Sequence, residues 1–189
     1  QSTTYRFDSS EHIAALFDMP TEPMYSRFAN PTCDAVEKKI AALEGGVGAM
    51  LTSSGQAASL LSILNLCKAG DHLVSVSAIY GGTLNLLAFS LKKLGISCTF
   101  VQPDATDAEI QAAIQPNTRL VFGETIANPT LKIFDIERFA AVAHRNQIPL
   151  IVDNTFATPL LCKPFDFGAD IVVHSTTKYM DGHALQCGG

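Results

Sequence analysis

The sequence predicts an α/β fold, a mostly parallel sheet with helices on both faces, preceded by an extended N-terminal arm. Two observations lead there. From about residue 47 onward, short unbroken apolar runs alternate with segments of helical periodicity. The runs lack polar alternation, and the connections between them are short, as in strands buried on both faces and joined by crossovers.

The elements follow in order. Ala49-Met50-Leu51-Thr52 reads as a short buried strand. It runs into Ser53-Ser54-Gly55-Gln56 and a helix with Ala57, Leu60, Leu61 and Leu64 at i, i+3, i+4, i+7 spacing, broken at Gly70-Asp71. Residues 73–76 are strand-like. Residues 83–94 are helical, with Leu84, Leu87, Leu91 and Leu94 on one face and Gly95 as terminator. Residues 98–101 form the next strand, 107–114 a short helix, 120–122 a strand, 135–145 a helix, 150–152 a strand and 171–173 the last strand. Residues 1–30 are richer in polar residues and proline, with one weak helical stretch over 11–17. They are read as an arm, and residues 31–189 as one domain. The chain opens without Met and stops at Cys187-Gly188-Gly189, so a piece of a longer protein is expected.

With 47% hydrophobic and 16% charged residues among 189, the chain can build a core, which excludes a disordered protein. A net charge of −5 without a basic run argues against nucleic-acid binding, and the absence of Trp argues against a stacking platform. Five cysteines, an odd count with no C-x-x-C pair, disfavour a disulfide framework and a zinc site, so no metal is expected and a reducing cytoplasm fits. No run approaches the ~18 apolar residues of a membrane span, and the start has no signal-peptide pattern.

In open parallel sheets, ligands gather outside the carboxyl ends of the strands. The residues there are Ser54-Gly55-Gln56, Ser77 to Tyr80, Glu124 with Asn128, Asp153-Asn154-Thr155 and Ser175 to Lys178. Ser54-Gly55-Gln56 offers free N–H groups at a helix start, an anion site, though an ordinary cap reads the same way. Asp153 is a carboxylate ending a buried strand, either a structural acid or a counter-charge for a cationic nitrogen. Lys178 stands just past another buried strand among hydroxyls, either a solvated loop lysine or a nucleophilic amine able to form a Schiff base. His174 reads as a core or supporting histidine. Together an anion site, an acid and an amine are the parts that pyridoxal phosphate needs.

The motifs Tyr25-Ser26-Arg27, Asn30-Pro31-Thr32, Leu43-Glu44-Gly45-Gly46, Ser53-Ser54-Gly55-Gln56-Ala57, Tyr80-Gly81-Gly82-Thr83, Asn128-Pro129, Val152-Asp153-Asn154-Thr155 and His174-Ser175-Thr176-Thr177-Lys178-Tyr179 occur in this order. In these the chain resembles, over nearly its whole length, the Cys/Met-metabolism family of pyridoxal-phosphate enzymes. The resemblance implies the type I aminotransferase fold and a C-terminal domain not contained in this chain. It implies Lys178 as the Schiff-base lysine, Asp153 on the pyridine nitrogen and Tyr80 stacked on the cofactor ring. The amides of Gly55 and Gln56 and the hydroxyls of Ser175 and Thr177 would hold the phosphate, with Asn128 near the phenolic oxygen. Tyr25 and Arg27 would reach the phosphate of a neighbouring subunit in a homo-oligomer, commonly a dimer of dimers.

Within the family, residues 80–87 resemble the sulfhydrylase branch, whereas γ-lyases typically have Cys where Gly82 stands. This implies γ-replacement on O-acetylhomoserine by sulfide or a thiol, with Tyr80 as a proton donor to the leaving group. Methionine γ-lyase and cystathionine γ-synthase chemistry stay open, as do cofactor binding without catalysis and a plain doubly wound anion-binding module.

Overall fold

The computed structural model describes residues 2–20 and 22–189. The chain divides into two compact units, Gln1–Met50 and Leu51–Gly189.

In the first unit, helix α1 spans Ser10–Asp18, with the Ser9 hydroxyl accepting from His12 N at 3.1 Å. The residues flanking it fold back on each other more than an extended arm would. Thr4 and Tyr25 form an antiparallel bridge, and Tyr5 OH lies 2.9 Å from Ser26 Oγ. Helix α2, Pro31–Glu44, is an element the sequence reading did not anticipate. Its signals are present. Asn30 Oδ1 accepts from Thr32 N and Cys33 N at 2.9 and 3.3 Å, Pro31 stands at the first helical position, and Gly45 ends the helix at φ +79°.

The second unit is built on a five-stranded parallel sheet in the order β2-β1-β3-β4-β5. Helix α3 (Gly55–Leu66) precedes β1 (His72–Val76). A continuous helix follows, made of α4 (Gly81–Asn85), a π-helical turn (Leu86–Ser90) and α5 (Leu91–Lys93). Then come β2 (Ser97–Val101), α6 (Asp107–Ala113), β3 (Thr118–Glu124), α7 (Ile136–Arg145) and β4 (Leu150–Asp153). The short helix α8 (Thr158–Leu161) and a 3₁₀ turn (Pro164–Phe167), both unanticipated, lead to β5 (Ile171–Val173). The remaining strands and helices lie where the periodicity put them, within a residue or two.

The order decides which faces the helices cover. The β1-to-β2 connection runs one way along the sheet, and the connections from β2 through β5 run the other way. With right-handed crossovers, α4 and α5 cover one face while α6 and α7 cover the other. The contacts agree: α3 touches α4, and α6 touches α7. Phe122, Leu73 and Leu150 from the strands are fully buried with Ile63, Leu87, Ile110 and Phe139 from the helices. The two outgoing directions part between β1 and β3, which makes the carboxyl ends of these strands the topological switch point.

Two expectations are corrected. Residues 49–52 form no strand: Thr52 and Gly189 exchange backbone hydrogen bonds of 2.7 and 3.1 Å, a single antiparallel pair rather than a ladder, and Met50 is exposed. In the helix over 81–93, the buried line is Thr83, Leu87 and Leu91, while Leu84 and Leu94 are exposed. Leu91 N bonds back to Leu86 O, and this wider turn keeps positions four apart in line.

At the amino ends of the strands, His72 Nδ1 and Nε2 lie 2.7 and 2.9 Å from the hydroxyls of Thr118 and Thr99, tying β1 to both neighbours. Burial holds the imidazole pKa below its ordinary value. Arg119 Nε meets Asp71 Oδ1 at 3.1 Å on the same edge. Among the described residues no helix is long and apolar enough to cross a membrane.

Candidate active site

A cavity of about 1080 Å³ opens at the carboxyl ends of the strands, lined wholly by residues of the second unit. Gly55, Gln56, Tyr80, Asn128, Asp153, Ser175, Thr177 and Lys178, eight of the ten residues singled out from the sequence, all line it. Tyr25 and Arg27 belong to the first unit, where the Arg27 guanidinium lies over the rings of Tyr25 and Phe28 at 5.4 and 5.1 Å.

One end of the cavity is the amino terminus of α3. The Ser54 hydroxyl accepts from Ala57 N at 3.1 Å, which leaves the N–H groups of Gly55 and Gln56 as the open donors of the first turn. A Cβ at residue 55 would stand 2.5 Å from Ser175 Cβ and 2.7 Å from Ser175 Cα. Only glycine lets the segment after β5 come this close, and that approach brings the Ser175 hydroxyl to the helix start; the Thr177 hydroxyl lines the same cavity, donating to Gly188 O at 3.2 Å and accepting from Gly188 N at 2.9 Å. The Gln56 side chain donates to Thr83 Oγ1 at 3.0 Å and joins α3 to α4.

The acid sits deeper. Asp153 Oδ1 accepts from Thr155 N at 3.0 Å and from the Thr155 hydroxyl, and that hydroxyl in turn accepts from Ser175 N at 2.7 Å. Thr155 therefore links the acid to the anion-binding end. Burial pushes the Asp153 pKa up, while the two bonds from Thr155 and the nearby His174 pull the other way. Desolvation wins, so a cation placed against Asp153 would be held strongly.

Lys178 reaches the cavity from the turn after β5, where its N–H donates to Ser175 O at 3.1 Å. Its ammonium makes no hydrogen bond or ion pair among the described residues. Tyr80 caps α4 from the loop after β1, and its N–H donates to Glu124 Oε2. Glu124, at the end of β3, is 5% exposed, with its Cα directly opposite Asp153 on β4. Burial and the Asp153 charge push its pKa up to about 7, against the stabilising amides of Tyr80 and Asn128. Sequence reasoning placed Glu124 and Thr155 at strand ends but gave them no role in the site. Phe156 and Tyr179, an edge-to-face pair with centroids 5.9 Å apart, also line the cavity.

These groups fit pyridoxal phosphate: a glycine-built cradle with two open amides and two hydroxyls suits a phosphate, a desolvated acid suits a protonated ring nitrogen, and an unpaired lysine suits an aldehyde. Parallel sheet, switch-point cavity and donor set together define a pyridoxal-phosphate enzyme of the type I fold. The chain belongs to the Cys/Met metabolism PLP-dependent enzyme family, whose model matches residues 1–189. It is 50% identical over 190 residues to the O-acetyl-L-homoserine sulfhydrylase of Corynebacterium glutamicum, covering 100% of this chain and 44% of that protein. It is 47% identical over 185 residues to the L-methionine gamma-lyase of Fusobacterium nucleatum subsp. polymorphum, covering 97% of this chain and 47% of that protein. A crystal structure of a proposed O-acetylhomoserine (thiol)-lyase from Campylobacter jejuni, containing N'-pyridoxyl-lysine-5'-monophosphate, superposes with a TM-score of 0.92 at 37% identity, over 100% of this chain and 46% of that one. The chain thus spans less than half the length of the relatives it matches.

Proposed function

We propose that the protein of which this chain is part catalyses γ-replacement on O-acetyl-L-homoserine, using sulfide or a thiol and releasing acetate. The observation that carries this reading is the joining of Lys178, Asp153 and the α3 amino terminus in one cavity. The substrate is taken from the 50% identical sulfhydrylase. When bound, pyridoxal phosphate supplies an aldehyde for the substrate amino group and an electron-withdrawing ring.

This chain's residues supply the rest. Gly55 and Gln56 amides with the Ser175 and Thr177 hydroxyls bind the phosphate, and Asp153 holds the ring nitrogen protonated. Asn128 lies beside the phenolic oxygen and Tyr80 against the ring. Lys178 Nζ holds the aldehyde until the substrate amine displaces it, then takes the α-proton as general base. A second proton passes from the β-carbon to a base in the site, the Tyr80 hydroxyl donates toward the departing acetate, the sulfur nucleophile bonds to the γ-carbon and gives up its proton, and protons then return to the β- and α-carbons, the latter from Lys178. The balance is O-acetylhomoserine plus sulfide giving homocysteine plus acetate, or methionine when the thiol is methanethiol.

We assign residues 31–189 to the cofactor-binding domain and residues 1–30 to an arm whose Tyr25 and Arg27 complete the phosphate site of a neighbouring subunit. A bidentate guanidinium suits that phosphate in a chain with only 13 basic residues. A homotetramer built from two such dimers, working in the cytoplasm, goes with this reading. The 47% identical methionine gamma-lyase is the ground for a second reading, elimination from methionine. Product analysis of the full-length protein separates them. Homocysteine and acetate from O-acetylhomoserine plus sulfide support the first. 2-Oxobutanoate and methanethiol from methionine alone, without homocysteine from the first pair, support the second.

A further inference from the structure

Glu124 is a buried acid of the cavity to which the proposed chemistry gives no task. It is almost fully buried, a position in which an acid is expensive to keep without a strong local reason. Its partner is Tyr80 N–H, at the far side of the switch point, and the Asn128 amide also lies against it. These two amides belong to the loops leaving β1 and β3, the two strands whose connections part to opposite faces. No ladder bond joins those loops, because the strands have ended.

We propose that Glu124 is a positioning residue: its carboxyl clamps the Tyr80 and Asn128 loops together across the switch point and so sets where the Tyr80 ring lies over the cofactor. The carboxyl fixes the Tyr80 N–H, and the ring packs over Gly82, where a Cβ would stand 2.5 Å from Tyr80 Cε1, so the clamp and this contact together set the place of a ring that is 48% exposed. Asp153 directly opposite opposes ionisation of Glu124, and that repulsion falls when a cation neutralises Asp153. A bound ring nitrogen would therefore tighten the clamp that seats the ring above it. The inference rests on the reading that the cavity takes pyridoxal phosphate.

The test uses the full-length protein stripped of cofactor and titrated with pyridoxal 5'-phosphate, with no substrate present. The readouts are the dissociation constant and the induced circular dichroism of the bound chromophore, which reports ring seating. Glu124→Gln keeps an acceptor for Tyr80 N–H and should hold the cofactor within about threefold of wild type with native dichroism. Glu124→Leu removes the acceptor, and losing a buried hydrogen bond of this kind should weaken binding roughly tenfold or more and change the dichroism. Far-UV dichroism checks folding. If the leucine variant does not fold, the glutamine variant carries the test through hydrogen exchange at the Tyr80 amide, which should stay as slow as in wild type. Native affinity and dichroism in a folded leucine variant would overturn the clamp, as would fast Tyr80 exchange in the glutamine variant. Failure of the wild type itself to bind pyridoxal phosphate would instead sink the reading on which the inference rests.

Discussion

Gly55 and Ser175 touch: the glycine Cα sits so close to the serine that a methyl group on it would stand 2.5 Å from Ser175 Cβ. This contact joins the start of α3 to the segment after β5, elements far apart in sequence, and it sets the anion-binding end of the cavity. Gly55→Ala should push them apart. The expected result is a stability loss of about 1–3 kcal/mol, the usual effect of overpacking. Pyridoxal phosphate affinity should fall at least ~10-fold, because the amides and hydroxyls no longer converge on one point. Denaturant melts of the cofactor-free protein and fluorescence titration measure the two effects. Wild-type affinity would mean that the phosphate is held elsewhere.

Asp153→Asn should spare folding and remove most activity. An amide cannot hold the ring nitrogen protonated, and a loss of ~10²-fold or more in kcat is the scale of removing one preorganised electrostatic contact. Steady-state kinetics on the full-length protein checks this, and near-normal turnover would take Asp153 out of the site.

Lys178 should carry the cofactor covalently. Borohydride reduction of the loaded protein followed by peptide mapping should place the label on Lys178. Recovery of the label on Lys132 or Lys163 would refute the assignment.

Glu124 should make the cofactor-free protein weaken as pH rises. Its folded pKa is pushed up to about 7, above an unfolded value of about 4.3. The folded state therefore keeps a proton that the unfolded state has lost, and the stability this brings is complete below the unfolded value and gone once pH has risen through the folded one. Glu124→Gln is neutral throughout. Denaturant melts between pH 5 and pH 8 should show the wild type losing stability relative to this variant, and parallel curves would contradict the shift. Glu124 and Asp153 repel each other, so the difference reports the coupled pair rather than Glu124 alone.

Arg27 should act across a subunit boundary. An Arg27→Ala subunit mixed with a Lys178→Ala subunit in the full-length protein should regain activity at one composite site per dimer. Verified mixed dimers without recovery would confine Arg27 to its own chain.

Much of this was legible in the sequence because the parallel-strand rule converts strand ends into a site map. Lys178, Asp153 and Gly55 each follow a buried run or open a periodic helix, and all three meet in the cavity. Glu124 was harder, because an acid at a strand end looks the same whether it caps a loop or clamps two, and only the Tyr80 amide tells which. The wide turn at 86–90 was invisible, since a count of leucines assumes an ordinary helical repeat, and the buried face keeps Leu87 and Leu91 but has Thr83 in place of Leu84 and Leu94. Helix α2 was missed although Asn30-Pro31 and Gly45 bracket it, because the residues it buries are Ala41 and Glu44, a small residue and an acid that mark no apolar stripe. The roles of Tyr25 and Arg27 depend on a second chain, which no single sequence describes.

The knot of His72 with Thr118 and Thr99 closes the sheet at the end away from the chemistry, with hydrogen bonds that need no ligand. At the other end of the same strands, Glu124 and Asp153 stand side by side as desolvated acids. Thr125 still ties β3 to β4 there, its N–H and hydroxyl donating to Asp153 O at 3.0 and 2.8 Å, so a cation arriving at this mouth changes the charge balance of the two acids and leaves the pairing of the strands as it was.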